Sequence, residues 1–250
     1  MDRAIGVIGG VGPYAGIDLV KKVFDNSIAV ADQEHLDLYM TSCPSLIPDR
    51  TEYLLHAGQN PAPGIIACFD KLARIGATVV VIPCNTAHAP KIYQQVERWA
   101  LEHHPHVRFL NMIEETCRFL AMLFPDGGTV GLMATLGTHG VGIYSDYLAT
   151  YPHLRLLEPS AEGKKRVHSA IYDRTYGIKA VSPVSSRATE DLLSEARILI
   201  DQGAQVLILG CTELPLALKE GMLSCPLIDP TAILARAAIH VTAPEKLKHH

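Results

Sequence analysis

The chain has 250 residues, 48% hydrophobic and 19% charged, a composition that suits one large or two small globular domains and excludes disorder. Lys plus Arg number 22 and Asp plus Glu 26, a net charge of −4 that carries no basic excess for nucleic acid or an anionic membrane. No apolar run approaches the roughly 20 residues needed to cross a bilayer. The N-terminal MDRAIGVIGGVGP reads as a buried strand and turn rather than a signal peptide, so the expected location is the cytoplasm.

Residues 4–9, 36–41, 78–83, 107–111, 129–133, 154–157 and 205–209 are short runs rich in Val, Ile and Leu. They lack polar alternation, which predicts strands covered on both faces. Residues 61–74, 90–102, 113–124 and 184–202 carry the clearest helical periodicity. Strands alternating with helices predict an α/β fold with mostly parallel sheets.

The first strand runs into Gly9-Gly10-Val11-Gly12-Pro13. Gly10, Gly12 and Ala15 formally match a dinucleotide fingerprint. Pro13 comes at once, however, and no acid ends the second strand, so nucleotide binding is set aside. A glycine turn that lets a substrate approach the backbone is preferred. After the second strand comes Pro48-Asp49-Arg50-Thr51, where Arg50 offers a planar fork for a carboxylate.

The chain repeats itself. Residues 75–88 (IGATVVVIPCNTAH) and 202–215 (QGAQVLILGCTELP) each hold Gly-Ala, an apolar strand, then a cysteine and polar residues. AIGVIGGVGP and TVGLMATLGT form a second pair upstream. Two similar halves are predicted, each with a cysteine where a strand meets a helix. In open α/β sheets ligands bind beyond such strand ends, and a helix start there favours anions and thiolate. Cys84 and Cys211 are therefore the candidate reactive pair, placed to remove and return a proton on opposite faces of one carbon. Cys43, Cys68, Cys117 and Cys225 read as small core residues. His103, His104 and His106 lack a matching acid or cysteine set, and no metal or cofactor is expected.

The motifs IGGVGP, IPDRT, PCNTAH, MATLGT, IYDRTYGIK, LGCTELPL and LIDP stand in this order along nearly the whole chain. Together they resemble the cofactor-independent, two-cysteine aspartate/glutamate racemases, and most closely their aspartate branch. The resemblance implies two pseudo-symmetric α/β domains with mostly parallel central sheets and the active site in the interdomain cleft. It divides the chain into 1–112 plus 218–250, with the C-terminal segment returning, and 113–217. It makes Cys84 and Cys211 the two acid/base groups. Asn85, Thr86 and Thr212 would hold the α-carboxylate or amino group, with hydroxyls from Thr135 and Thr138 and a backbone approach at Gly10. Arg50 and a lysine would hold the distal carboxylate; spacing to Ile171-Tyr172 favours Lys165, with Lys164 adjacent. The implied substrate is a dicarboxylic amino acid, aspartate before glutamate, and the implied assembly a homodimer. A related lyase or isomerase of the decarboxylase or maleate isomerase type, or a dicarboxylate-binding protein without turnover, are the alternative readings.

Overall fold

Burial on both faces is what the unalternating apolar runs demand, and the computed structural model, which describes residues 3–249, provides it for the inner strands, whereas residues 37–42 are only half-buried. Met1, Asp2 and His250, at the ends of the predicted first domain, lie outside the described residues. The chain divides into two units, one formed by the residues up to Thr116 together with those from Thr231, the other by Cys117–Pro230.

In the first unit β1 (Ala4–Gly9) is buried along its whole length. After it come α1 (Pro13–Asn26), β2 (Asp37–Ser42), α2 (Arg50–Leu55), α3 (Ala62–Arg74), β3 (Ala77–Val81), α4 (Pro90–His103) and β4 (Arg108–Phe109). The strands form a parallel sheet in the order β2-β1-β3-β4. Successive residues of β3 serve opposite cores. Val80 packs with Phe69 and Leu72 of α3 and with Ile92 and Val96 of α4. Val79 and Val81 pack with Leu19 and Val23 of α1 and with Leu234 and Ile239 near the C-terminus. This period of two, filled on both sides, is why the strand reads as continuously apolar.

α5 (Met112–Leu123) contains the division between the units. Then come β5 (Gly128–Ala134), α6 (Leu136–Gly140), α7 (Ile143–Leu148), β6 (Leu154–Leu157), α8 (Ala161–Tyr172), α9 (Ser186–Asp201), β7 (Val206–Gly210), α10 (Leu214–Ala217), β8 (Leu227–Ile228) and α11 (Pro230–Thr242). The second sheet is also parallel, in the order β6-β5-β7-β8. Ser160 and Ser185 cap α8 and α9, each accepting from a backbone N–H three residues on at 3.1 Å, the arrangement that satisfies a helix's first donors. Met133, Leu207 and Leu209 pack against Val167 and Ile171 of α8 and Leu192 and Leu199 of α9.

The repeat seen in the sequence is thus a repeat of topology. Gly76 and Gly203, each eight positions before its cysteine, both adopt positive φ, 104° and 100°, where they end the helix that feeds β3 or β7. Side chains disfavour that conformation. Both boundaries differ from the sequence reading, the first by falling after Thr116 instead of residue 112. Residues 218–230 stay in the second unit, because β8 pairs with β7 there, and the return to the first unit begins at Thr231. β8, two residues long, carries too little pattern to be read as a strand. Among the described residues no helix is long and apolar enough to cross a membrane.

Candidate active site

In the first unit the carboxyl ends of β1 and β3 are neighbours, and the loops beyond them gather the predicted residues. Cys84 precedes a single 3-10 turn, Asn85–His88, all of it buried. Its Sγ lies 3.4 Å from Thr86 Oγ1. Arg50 opens α2 instead of sitting in a loop, and is 9% exposed. Asp49 caps that helix by accepting from Glu52 N at 3.0 Å. The Arg50 guanidinium donates to Pro48 O at 3.2 Å and to Val11 O at 3.5 Å, which ties it to the turn after β1. α2 also packs on the Asn85–His88 turn, so Arg50, the Gly10–Gly12 turn and Cys84 belong to one end of one sheet. Gly10 has φ 84°, and a Cβ there would meet the Cys43 and Pro44 nitrogens at 2.8 and 2.9 Å. The glycine is required by the approach of its own chain's backbone.

His88 supports the Cys84 turn from beneath. Its Nδ1 lies 2.9 Å from Cys84 O; the carbonyl only accepts, so Nδ1 carries the hydrogen. The ring stacks on Tyr93 at 5.4 Å, and Tyr93 stacks on Phe109 at 4.7 Å. Burial holds the imidazole down at about 4, against the pull of backbone hydrogen bonding to Cys84 and Leu110. A base whose folded value is lowered is neutral in the fold and protonated on unfolding, so its stability is full above about 6.5 and is lost as pH falls toward 4. We expect unfolding free energy to drop by up to about 3 kcal/mol between pH 7 and pH 4 on this account. Urea denaturation across that range should show His88→Gln with a clearly flatter dependence; an unchanged slope would remove His88 as its source.

In the second unit the ends of β5 and β7 adjoin, with Ala134 opposite Gly210. Thr135 caps α6, accepting from Thr138 N at 3.3 Å, and the two buried hydroxyls lie 3.2 Å apart. Cys211 comes directly after β7. Its Sγ donates to Glu213 Oε2 at 3.0 Å, and Thr212 Oγ1 donates to the same oxygen at 3.2 Å. The other oxygen of Glu213 takes the ammonium of Lys179. That ammonium also lies over the Tyr172 ring, 5.4 Å from its centre.

This packing sets the electrostatics. Burial pushes the Cys211 thiol up, and the Glu213 charge pushes it further, against Lys179. Burial raises Glu213 too, but Lys179 and the Cys211 and Thr212 donors outweigh it and leave the carboxyl below its usual value. Lys179 is drawn down by burial and held up by Glu213, with a net rise. This corrects the expectation that the position past the strand favours thiolate. The helix after Cys211 is α10, four residues long, too short for a substantial helix dipole, and burial, followed by the nearby anion, dominates.

Lys165, the lysine preferred from spacing, is on the exposed face of α8 and pairs with Glu162 at 3.5 Å, its side chain 66% exposed. Lys164 pairs with Glu158 at 2.6 Å. Glu158 is held at about 2, first by its hydrogen bond from His139 and then by Lys164 against the effect of burial. Lys179 is the lysine that the fold brings to Cys211. Sequence reasoning gives no role to Lys179 or Glu213, although Lys179 ends IYDRTYGIK and Glu213 completes GCTE. Their place inside those two motifs is the signal that could have found them. His104 pairs with Asp70 at 2.9 Å and His103 stacks on Trp99 at 4.5 Å. No group of three or more potential metal ligands occurs among the described residues.

Several known proteins are similar to this chain over nearly its whole length. Residues 8–238 match the family described as Asp/Glu/Hydantoin racemase. The broad specificity amino-acid racemase RacX of Bacillus subtilis is 26% identical over 94% of this chain and 96% of its own length. Among solved structures, the aspartate racemase of Picrophilus torridus superposes with a TM-score of 0.82 at 27% identity, covering 98% of this chain and 96% of that one. The glutamate racemase of Francisella tularensis shares the fold, with a TM-score of 0.66 at 18% identity over 98% and 82% of the two chains.

Proposed function

The chain belongs to the Asp/Glu/hydantoin racemase family and is a racemase, and on that premise we propose that it interconverts L- and D-aspartate with Cys84 and Cys211 as its two acid/base groups. The observation that carries this reading is the duplication itself. Each unit sets one cysteine at the carboxyl end of the same strand of the same sheet topology, as an enzyme working on both faces of one carbon requires. In the proposed reaction one cysteine, as thiolate, removes the Cα proton, and the other, as thiol, donates its proton to the opposite face. The carbanion formed between these steps spreads its charge into the α-carboxylate, and buried donors near Asn85, Thr86 and Thr212 stabilise it. No cofactor takes part in this scheme.

The substrate preference is supported by charge. Arg50 on the first unit is a buried cation. Lys179 on the second is a largely covered one, its side chain 26% exposed. Such cations suit a second carboxylate on the substrate. Lys179 takes the part that spacing gives to Lys165. Structural likeness to an aspartate racemase also favours aspartate over glutamate. The homodimer and the cytoplasmic location remain part of the proposal by family resemblance.

The test is solvent deuterium incorporation at Cα of L-aspartate, read by NMR beside chiral chromatography, with L-glutamate and neutral amino acids in parallel because of the RacX likeness. Exchange accompanied by D-aspartate is the expected result. Turnover confined to glutamate or to neutral amino acids would overturn the substrate assignment. Binding of aspartate without exchange would leave only a binding role toward it.

A further inference from the structure

We propose that Cys43 and Cys68 are a redox-active pair apart from the reacting centre, joined as a disulfide by a peroxide and released by thiols, and that this bond weakens substrate binding through the loop leading to Arg50. The effect on substrate rests on the reading of Arg50 above; the pair itself does not.

The pairing follows from the period of the strand. Residues two apart share one side of a sheet, so Tyr39, Thr41 and Cys43 face together at the end of β2. Tyr39 and Cys43 both pack on the core that contains Cys68. Cys68 lies on the buried face of α3 between Ile65 and Leu72, and α3 packs on β2. Leu72 sets the level: a Cβ on Gly6 would meet its Cβ at 3.2 Å, and Gly6 is the partner of Tyr39. The strands on either side of α3 both run parallel to β1, so α3 runs back against them. One helical turn before Leu72 is about 6 Å, or about two strand residues, which brings Cys68 level with Thr41 and next to Cys43. Thr41 and Cys43 are accordingly its polar neighbours. The two thiols differ in access. Cys68 is fully buried and Cys43 half-buried. Burial pushes the Cys68 thiol up, against Thr41, and Cys43 adds to the rise. Cys43 therefore meets an oxidant from solvent, and Cys68 stands behind it as the resolving thiol.

Cys43, as thiolate, attacks one oxygen of the peroxide. The S–O bond forms, the O–O bond breaks, and the departing oxygen takes up the proton that Cys43 had lost. Cys43 is left as a sulfenic acid. The Cys68 sulfur then attacks the Cys43 sulfur. The S–S bond forms, the S–O bond breaks, and the hydroxide leaves as water with the Cys68 proton. The two thiols lose two electrons and the peroxide gains them. A small thiol reverses the bond by exchange. The consequence follows from what Cys43 touches. A Cβ on Gly10 would meet the Cys43 and Pro44 nitrogens, and a Cβ on Gly64 of α3 would strike Leu46 O. Leu46 N donates to Cys43 O at 3.0 Å. Residues 43–46 are thus a wedge between the turn after β1 and α3. Bonding draws the wedge toward α3 and away from that turn. Arg50 spans the same parts, donating to Pro48 O and to Val11 O, so their separation unseats its guanidinium.

The probe is hydrogen peroxide near equimolar with the protein, applied to the double variant Cys84→Ser, Cys211→Ser so that those two thiols take no part. Mass spectrometry of an unreduced digest should find the Cys43 and Cys68 peptides joined, and dithiothreitol should separate them. Adding Cys43→Ser should leave Cys68 a thiol at the same dose. Adding Cys68→Ala should strand Cys43 as a sulfenic acid that dimedone traps. Should a variant not fold, the same map of the parent chain decides the pairing. Cys43 and Cys68 remaining thiols while Cys225 is oxidised, or Cys43 linked elsewhere, would overturn the pair. Calorimetric titration of the oxidised double variant with L-aspartate should then give a Kd at least about tenfold above that of the reduced form, the loss of a hydrogen bond from a charged group, with recovery in dithiothreitol. An unchanged Kd would overturn the action on Arg50. Failure of aspartate to bind the reduced protein would instead count against the substrate assigned above, and the peptide map would still decide the pair.

Discussion

Cys211→Ser is expected to reduce racemisation by a factor of about a thousand or more, and Cys84→Ser by a similar factor. Positioned acid/base groups contribute about 10²–10⁴ in rate, and a serine hydroxyl is far too weak an acid to give or hold the proton that a thiol exchanges near neutrality. Oxygen for sulfur is a small change of volume at positions 6% and 7% exposed, so both variants should keep the parent melting temperature. Loss of activity can then be assigned to chemistry. The assay is chiral chromatography of aspartate started from each enantiomer. Retention of a tenth or more of the parent rate by either variant would break the two-cysteine scheme, since a one-base mechanism would then suffice. The predicted loss is symmetric in the two cysteines even though their surroundings are not, because every turnover uses both.

Phe69→Ala should destabilise the first unit by about 3–5 kcal/mol, the usual cost of emptying a buried aromatic site. Phe69 is fully buried on α3 and meets Trp99 and Phe109 edge-on, with centroids 6.2 and 5.5 Å away and interplanar angles of 81° and 90°. Edge-to-face geometry adds to the area term. The ring also joins α3, α4 and β4, so the cavity has neighbours from three elements that cannot all close on it. A drop in melting temperature of about 10 °C is expected for a domain of this size. Phe69→Leu, which keeps most of the volume, should cost clearly less. Calorimetry would contradict the packing account if Phe69→Ala melted within ~2 °C of the parent.

The elements nearest the cysteines show what can be read along the chain. β1, β3 and β7 are unbroken apolar runs because their neighbours cover both faces, and such runs are visible in any window of five or six residues. β2 is half-exposed, and its weaker pattern still suffices because it lies between clear turn signals. β8 is missed where the equally short β4 is read, because β4 lies within the longer run of residues 107–111. The helices after the cysteines are short: Asn85–His88 is one 3-10 turn and α10 four residues. Burial and the Glu213 charge are why the expected lowering of the Cys211 thiol does not occur. Polar residues after a strand announce a turn, but not how long the helix beyond it will be.

Local pattern determined the α/β class, the parallel sheets, the doubling of the chain and the two cysteines that end matching strands. Each of these depends on residues close in sequence, where burial imposes a period on side-chain type. Tertiary structure alone decided which charges face the thiols. Lys179 reaches Glu213 across 34 positions of chain, while Lys165, nearer the expected spacing, turns to Glu162 three residues away. A lysine's surroundings are set by the packing of α8 and the segment after it against the end of β7. No periodicity records that packing, because the electrostatic energy of an ion pair depends on distance and burial in space and not on separation along the chain.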